Sequence, residues 1–380
     1  MTADLASAAS TASAALGTTL SDPVKLAGSG RSVVLRCGRA AGDTVIVKSY
    51  ADTSEGERGY RAEAAGLEFT TGTGAGPDLL AADPASRLIV MRDLGEAPSL
   101  ADVLLTSSPA GARQARGALL GWTKACAELA VSTASRAAEY AGVQARHALG
   151  QSPGGAQSAG AAGGHWLARR IWEIPGLLGK LSLDLPGGIE DDLAEVASLL
   201  SAAEFRVFSP GDLCPDNNLI TSDGVRFIDF EYAEYHSAFL DAAYLSMPFS
   251  TCWCVFRLPP ELARQAQATY RDLVSAAFPA AASDEVWLPG VRRASAAWTL
   301  HSMTYLLEAS MAGDASMNPR ASHAPTARQL LRYRWRRLAG ELGGAGELPA
   351  ITSLMSQLLT RTRSWQSPAL PLYPAFRRTS

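Results

Sequence analysis

Hydrophobic and polar positions follow two different rhythms along this chain, and the change falls near residue 95. Before it, short runs of β-branched and aliphatic residues at 32–36, 44–48 and 87–91 are bounded by Gly, Asp and Pro. That pattern predicts strands joined by turns. Residues 60–67 (YRAEAAGL) break the run of strands with good helix formers. Beyond residue 95 the apolar positions recur at helical spacing. Residues 99–105 read as a short helix capped by Ser99, 110–131 as a long Ala- and Leu-rich helix, and 189–203 as an amphipathic helix with Leu193, Val196, Leu199 and Leu200 on its apolar face. Residues 259–278, 295–309 and 325–342 continue the helical pattern. The expectation is an α+β chain: a small antiparallel sheet followed by a larger, mostly helical part.

One stretch departs from this scheme. Residues 205–241 (FRVFSPGDLCPDNNLITSDGVRFIDFEYAEYHSAFLD) place two strand-like runs, 205–208 and 225–228, on either side of a polar turn carrying Asp212 and Asn217. The second run ends on Asp229 and Glu231. A strand, a turn and a returning hairpin would gather Asp212, Asn217 and Asp229 at one end of a sheet. A carboxylate able to take a proton, beside an amide and a second carboxylate able to hold a hard cation, is the set that phosphoryl transfer from a magnesium nucleotide needs. The plainer reading of the same residues is a polar hairpin turn.

The segment Asp212-Leu213-Cys214-Pro215-Asp216-Asn217, followed by Ile228-Asp229-Phe230-Glu231, resembles the catalytic loop (H-x-D-x-x-x-x-N) and metal segment (I-D-F-E or I-D-W-E) of the aminoglycoside phosphotransferase and choline kinase superfamily. The resemblance implies a bilobal protein-kinase-like fold, with a nucleotide-binding small lobe over residues 21–95 and a helical large lobe over 96–380. It implies Asp212 as the catalytic base, and Asn217 and Asp229 as ligands of Mg2+. Upstream, Gly28, Ser29 and Gly30 match the loop that approaches the phosphates. Lys48 matches the phosphate-contacting lysine and Glu63 its helix partner. Met91, Asp93 and Leu94 fall at the hinge that lines the adenine pocket. Asp241 resembles an aspartate that ties down the catalytic loop. The implied reaction is ATP-dependent phosphorylation of a small-molecule hydroxyl, on an aminoglycoside, another antibiotic or an amino alcohol. One departure is plain: Pro210 stands where the family has histidine. It keeps open a second reading, a catalytically silent nucleotide-binding or scaffold protein.

Composition adds limits rather than chemistry. The chain has 380 residues, 47% of them hydrophobic, enough for two lobes with a substantial core. A net charge of −3 gives no electrostatic reason to expect nucleic acid or an anionic membrane as partner. No run is long and apolar enough to span a bilayer, and residues 1–20 lack the basic start and apolar core of a signal peptide. They read as a flexible tail, and 151–164 as a low-complexity insertion. The five cysteines include one close pair, Cys252 and Cys254, with no further metal ligands near them in sequence. Reduced, buried thiols and a cytoplasmic location are the expectation. Trp253, Trp298, His301 and Tyr305 are candidates for the acceptor pocket wall, and Asp216, Glu231 and Glu234 for its acidic groups.

Overall fold

The structure, a computed structural model, describes residues 2–28, 31–107, 111–148, 165–247, 249–318 and 324–377. It begins with helix α1 (Thr2–Leu16) and continues through strands β1 (Leu20–Gly28), β2 (Ser32–Arg39) and β3 (Thr44–Tyr50), helix α2 (Ser54–Thr70), and strands β4 (Leu79–Asp83) and β5 (Leu88–Arg92). These strands form one antiparallel sheet in the order β1-β2-β3-β5-β4. Alternation along β3 decides what each face carries. Val45 and Val47 turn to one face and pack with Leu35, Cys37, Leu88 and Val90. Ile46, Lys48 and Tyr50 turn to the other, where α2 and the main core lie. The period-2 pattern thus places Lys48 inside the molecule.

The first of these faces is covered by α1, a stretch that reads from sequence as a flexible tail. Ala9 and Ala12 are buried against the sheet, and the Leu20 amide donates to Ser13 Oγ at 3.0 Å. Small Ala and Ser side chains give the helix a weak hydrophobic stripe but let it approach the strands closely, so its partner surface, not its own pattern, holds it.

From residue 100 onward the chain is mostly helical: α3 (Leu100–Leu105), α4 (Gly111–Thr133), α5 (Ala137–Arg146), α6 (Trp166–Ile171), α7 (Ile174–Lys180) and α8 (Ile189–Ser201). Ser99 caps α3 through a reciprocal bond with Asp102. Strands β6 (Arg206–Ser209), β7 (Asn218–Thr221), β8 (Gly224–Phe227) and β9 (Glu234–Ser237) follow. They make two separate ladders, β6 with β9 and β7 with β8, so the two apolar runs flanking Asp212 do not share one sheet. Helices α9 (Ala238–Ser246), α10 (Pro260–Val274), α11 (Asp284–Ala312), α12 (Ala327–Ala345) and α13 (Pro349–Arg361) complete the fold. α11 begins eleven residues before the run 295–309 and continues through Pro289, whose missing N–H takes one hydrogen bond from the second turn. Trp122, Trp298 and Trp335 are fully buried; Trp298, with its Nε1–H donating to the Leu240 carbonyl at 3.1 Å, is core rather than pocket wall. The insertion 151–164 lies outside the described residues. Among the described residues, no helix is long and apolar enough to cross a membrane.

Candidate active site

Lys48 projects from β3 into a nest of carboxylates. Its Nζ lies 2.5 Å from Glu63 Oε2 and 3.0 Å from Asp229 Oδ1, with Glu231 at 4.0 Å. Glu63 comes from the buried face of α2 and also accepts from the Tyr50 hydroxyl. α2 can come this close because of Gly66: a Cβ there would meet Ala233 Cβ at 2.9 Å and the Phe230 side chain at 3.0 Å. The helix bearing Glu63 is therefore packed on the segment bearing Asp229. Burial alone would lower the Lys48 pKa, but Glu63, Asp229 and Glu231 outweigh it and the pKa is raised, so the ammonium stays charged. Burial raises the Glu63 carboxyl, against the opposing pull of Lys48 and Tyr50.

The turn after β6 carries Asp212. Gly211 has φ +85°, and a Cβ on it would sit 2.0 Å from the Tyr232 carbonyl oxygen, so only glycine fits. Asp212 Oδ1 accepts from Thr251 Oγ1 at 2.6 Å, and Oδ2 from Asn217 Nδ2 at 3.3 Å. A 3-10 turn over Pro215–Asn217 folds Asn217 back, and its carbonyl accepts from the Ile228 amide at 3.0 Å, which fixes the loop beside Asp229. Burial raises the Asp212 pKa to about 6, aided by the charges of Asp229 and Asp216 and opposed by the Thr251 bond. Asp212, Asn217 and Asp229 thus come together as their spacing predicts.

Asp241 holds the loop through Ser209. With proline at 210, the Ser209 hydroxyl donates to Asp241 Oδ1 at 3.3 Å and accepts the Gly211 amide at 3.2 Å. His236 Nε2 meets the same Asp241 oxygen at 2.7 Å, and the Tyr270 hydroxyl donates to Oδ2 at 3.4 Å. The anchor is complete without a histidine in the loop.

Other expected positions are differently employed. Gly28 ends β1, paired with Val33; Ser29 and Gly30 lie outside the described residues. Met91 is buried in β5, and Leu94 is half-buried just beyond it. The Asp93 carboxylate is taken up by Arg36 Nε at 2.6 Å, Thr44 Oγ1 at 2.7 Å and the Gly95 amide at 2.8 Å, so it braces the strand edge. None of the three acidic pocket candidates stands alone. Glu231 pairs with Arg31 at 2.8 Å, Glu234 accepts from Trp166 Nε1 at 2.9 Å and faces His165, and Asp216 accepts from Trp253 Nε1 at 2.7 Å. Tyr305 and Trp253 are exposed, at 43% and 40%, and His301 is half-buried. Arg31 and Thr251 went unnoticed in the sequence: a lone arginine after a glycine loop and a threonine in an irregular segment carry no local signal.

The cysteines correct one expectation. Cys214, in the loop that carries Asp212, and Cys252, next to Thr251, form a disulfide, while Cys37, Cys126 and Cys254 are free and buried. The partners are 38 residues apart, so counting close pairs in sequence could not find them.

A divalent cation fits the donor set. Asn217 and Asp229 offer oxygen ligands of the hard type. Asp212, Asp216 and Asp229 crowd one another enough that the last raises the pKa of the other two. The Lys48 ammonium faces Asp229 at 3.0 Å, and the neighbouring Asp212 and Asp216 add negative charge that a cation would neutralise.

Against known proteins, no family model matches the chain and no curated protein matches it in sequence. Solved structures do. The choline kinase of Cryptosporidium parvum Iowa II is similar over 88% of this chain and 93% of its own, at 12% identity and a TM-score of 0.50. The macrolide 2'-phosphotransferase MphH of Brachybacterium faecium covers 81% and 94% at 14% identity, TM-score 0.49. The streptomycin–ATP complex of APH(2")-IIa covers 80% and 94% at 12% identity, TM-score 0.49. The likeness to the choline kinase establishes the fold, a bilobal kinase-like one with an antiparallel five-stranded sheet ahead of a mostly helical part.

Proposed function

We propose that this chain, with the fold of a choline kinase, transfers the γ-phosphoryl group of ATP to a hydroxyl of a small molecule. The observation that carries the reading is the convergence of Lys48, Glu63, Asp212, Asn217 and Asp229, drawn from both halves of the chain, on one locus. Lys48, fixed by Glu63, would bind phosphate oxygens. Asn217 and Asp229 would hold Mg2+, which when bound neutralises charge building on the transferring phosphoryl group. Asp212, oriented by Thr251 and Asn217, would position the acceptor hydroxyl and take its proton. A pKa near 6 leaves it ionised at neutral pH while making it a better base than an ordinary carboxylate. The work asked of the protein is mostly alignment of acceptor and phosphate. Within the small-molecule class, the acceptor would be an aminoglycoside, another antibiotic or an amino alcohol.

The test is a thermal shift with ATP and Mg2+ on the wild type and on Asp229→Ala, followed by ATP hydrolysis without acceptor and a screen of aminoglycosides and amino alcohols. Magnesium-dependent stabilisation that disappears in the variant, with hydrolysis by the wild type, supports the reading. A wild type that shifts with no nucleotide would instead favour the silent scaffold.

A further inference from the structure

Four potential metal ligands meet beside the catalytic loop. Cys214 Sγ, Cys252 Sγ, Cys254 Sγ and an Asp216 carboxylate oxygen all lie within 4.8 Å of one another. They come from two short segments, Cys214-x-Asp216 within the loop that carries Asp212 and Cys252-x-Cys254, which the disulfide joins to it. The three cysteines are buried, Asp216 is half-buried and Trp253 is exposed, so the set lies about one side chain beneath the surface. Two of the sulfurs are joined as the Cys214–Cys252 disulfide, and the third, Cys254, is a free thiol.

We propose that, once the Cys214–Cys252 disulfide is reduced, Cys214, Cys252, Cys254 and Asp216 form a binding site for Zn2+. Three sulfurs and a carboxylate oxygen in a compact group suit a tetrahedral, thiophilic ion and suit Mg2+ poorly. The surroundings orient the ligands. The Cys254 amide lies 3.3 Å from Cys252 Sγ and donates to it, a bond that favours thiolate over thiol. Trp253 Nε1 donates to Asp216 Oδ2 at 2.7 Å, which turns Oδ1 toward Cys252 Sγ at 4.0 Å. The fully buried Tyr373 fixes the Cys254 carbonyl at 2.8 Å, and the Asn218 side chain donates to the Cys214 carbonyl. Such outer partners hold first ligands in place at metal sites. The other convergent set, His165, Glu234 and His236, is already engaged: His165 pairs with Glu234 at 2.9 Å, and His236 is taken up by Asp241 at 2.7 Å.

The chemistry balances with a dithiol reductant. Its two thiols hand two electrons and two protons to the Cys214–Cys252 bond, leaving two protein thiols and the reductant as its own disulfide. Zn2+ then displaces the three thiol protons. Both states tie the catalytic loop to the segment at residues 251–254, the first covalently and the second through the ion. The proposal is independent of the phosphotransfer reading, because its readout is metal binding alone.

The experiment titrates Co2+ into the full chain under anaerobic conditions, before and after treatment with a dithiol reductant that is then removed, followed by displacement with Zn2+. The reduced wild type should bind one equivalent, with thiolate-to-cobalt charge transfer and the intense visible bands of a tetrahedral site, both abolished by Zn2+. The oxidised wild type should show neither. Cys254→Ser retains the disulfide pair, which a thiol count on the untreated protein verifies along with its circular dichroism. Its reduced form should bind at least about 100-fold more weakly. Trp253→Phe should bind about 10- to 100-fold more weakly by releasing Asp216. Absence of charge transfer in the reduced wild type overturns the proposal, and so does an unchanged spectrum and affinity in reduced Cys254→Ser.

Discussion

Lys48 Nζ and Asp229 Oδ1, 181 residues apart in the chain, meet at 3.0 Å. This contact joins the sheet to the segment after β8, and through Lys48 it extends to Glu63 on α2. Glu63 is wholly buried and Lys48 nearly so, which makes the pair interdependent. Lys48→Met leaves Glu63 buried with, among the described residues, only Tyr50 to donate to it. The variant should lose about 2–4 kcal/mol of stability in urea unfolding, and adding Glu63→Gln should restore much of that loss. An additive double variant would show that the two side chains do not act as a pair.

Asp212 gives a prediction with opposite signs for activity and stability. Its folded pKa, about 6, lies above that of an unfolded aspartate, so the folded state holds the proton more tightly and stability falls as pH rises from about 4 to 6. At pH 7 the ionised carboxylate therefore costs stability. Without magnesium, Asp212→Asn should be more stable than wild type by about 1–2 kcal/mol at pH 7 and no more stable near pH 4. Its turnover should fall by at least about 100-fold while the nucleotide-induced thermal shift persists. Unimpaired turnover would remove Asp212 from the base role.

Gly211 tests whether the loop geometry is dictated by backbone. Gly211→Ala must adopt φ near +85° and place its methyl against the Tyr232 carbonyl, so a loss of at least about 2 kcal/mol is expected, with turnover falling alongside. Gly117→Ala on α4, where nothing lies within 4 Å of the added methyl, should be neutral or gain up to about 1 kcal/mol. Equal unfolding midpoints for the two variants would contradict the close approach.

His301 predicts an acid limb of stability. Burial pushes its pKa down to about 4, with Arg170 and Arg334 adding to the effect, and its Nδ1 is buried without a partner among the described residues. The unfolded histidine binds a proton near pH 6.5, which the folded one refuses, so this contribution is present above that pH and is lost as pH falls toward 4. Between pH 7 and pH 5 the wild type should lose about 1–2 kcal/mol more than His301→Phe. Parallel curves from urea titrations at the two pH values would rule the effect out.

Much of the site was legible because its signals are local. Ser99 and the run after it declare a capped helix, and the five-residue step from Asp212 to Asn217 survives folding as a 3-10 turn that brings the amide back to the carboxylate. α13 carries a local signal of the same kind, since Ile351, Leu354, Met355 and Leu358 recur at helical spacing and are all buried, on a helix that packs on α12 and α8. Pro210 read as a weakness in the loop. The structure shows the anchor to Asp241 passing through Ser209 and His236, a route visible only once β6 and β9 are paired.

The amino-acid sequence by itself determined the order and local form of the parts: strands ahead of helices, Lys48 at the end of a β-branched run, and Asp212, Asn217 and Asp229 at fixed intervals. Periodicity and turn chemistry act over a few residues, and they need no distant partner. The tertiary structure decided the rest. It placed Asp229 rather than Glu231 nearest Lys48, gave Glu231 to Arg31, set the Ala-rich α1 against the sheet and joined Cys214 to Cys252. Each of these pairings depends on how packed elements close on one another over tens or hundreds of residues, and no local pattern records which distant side chain will fill the space.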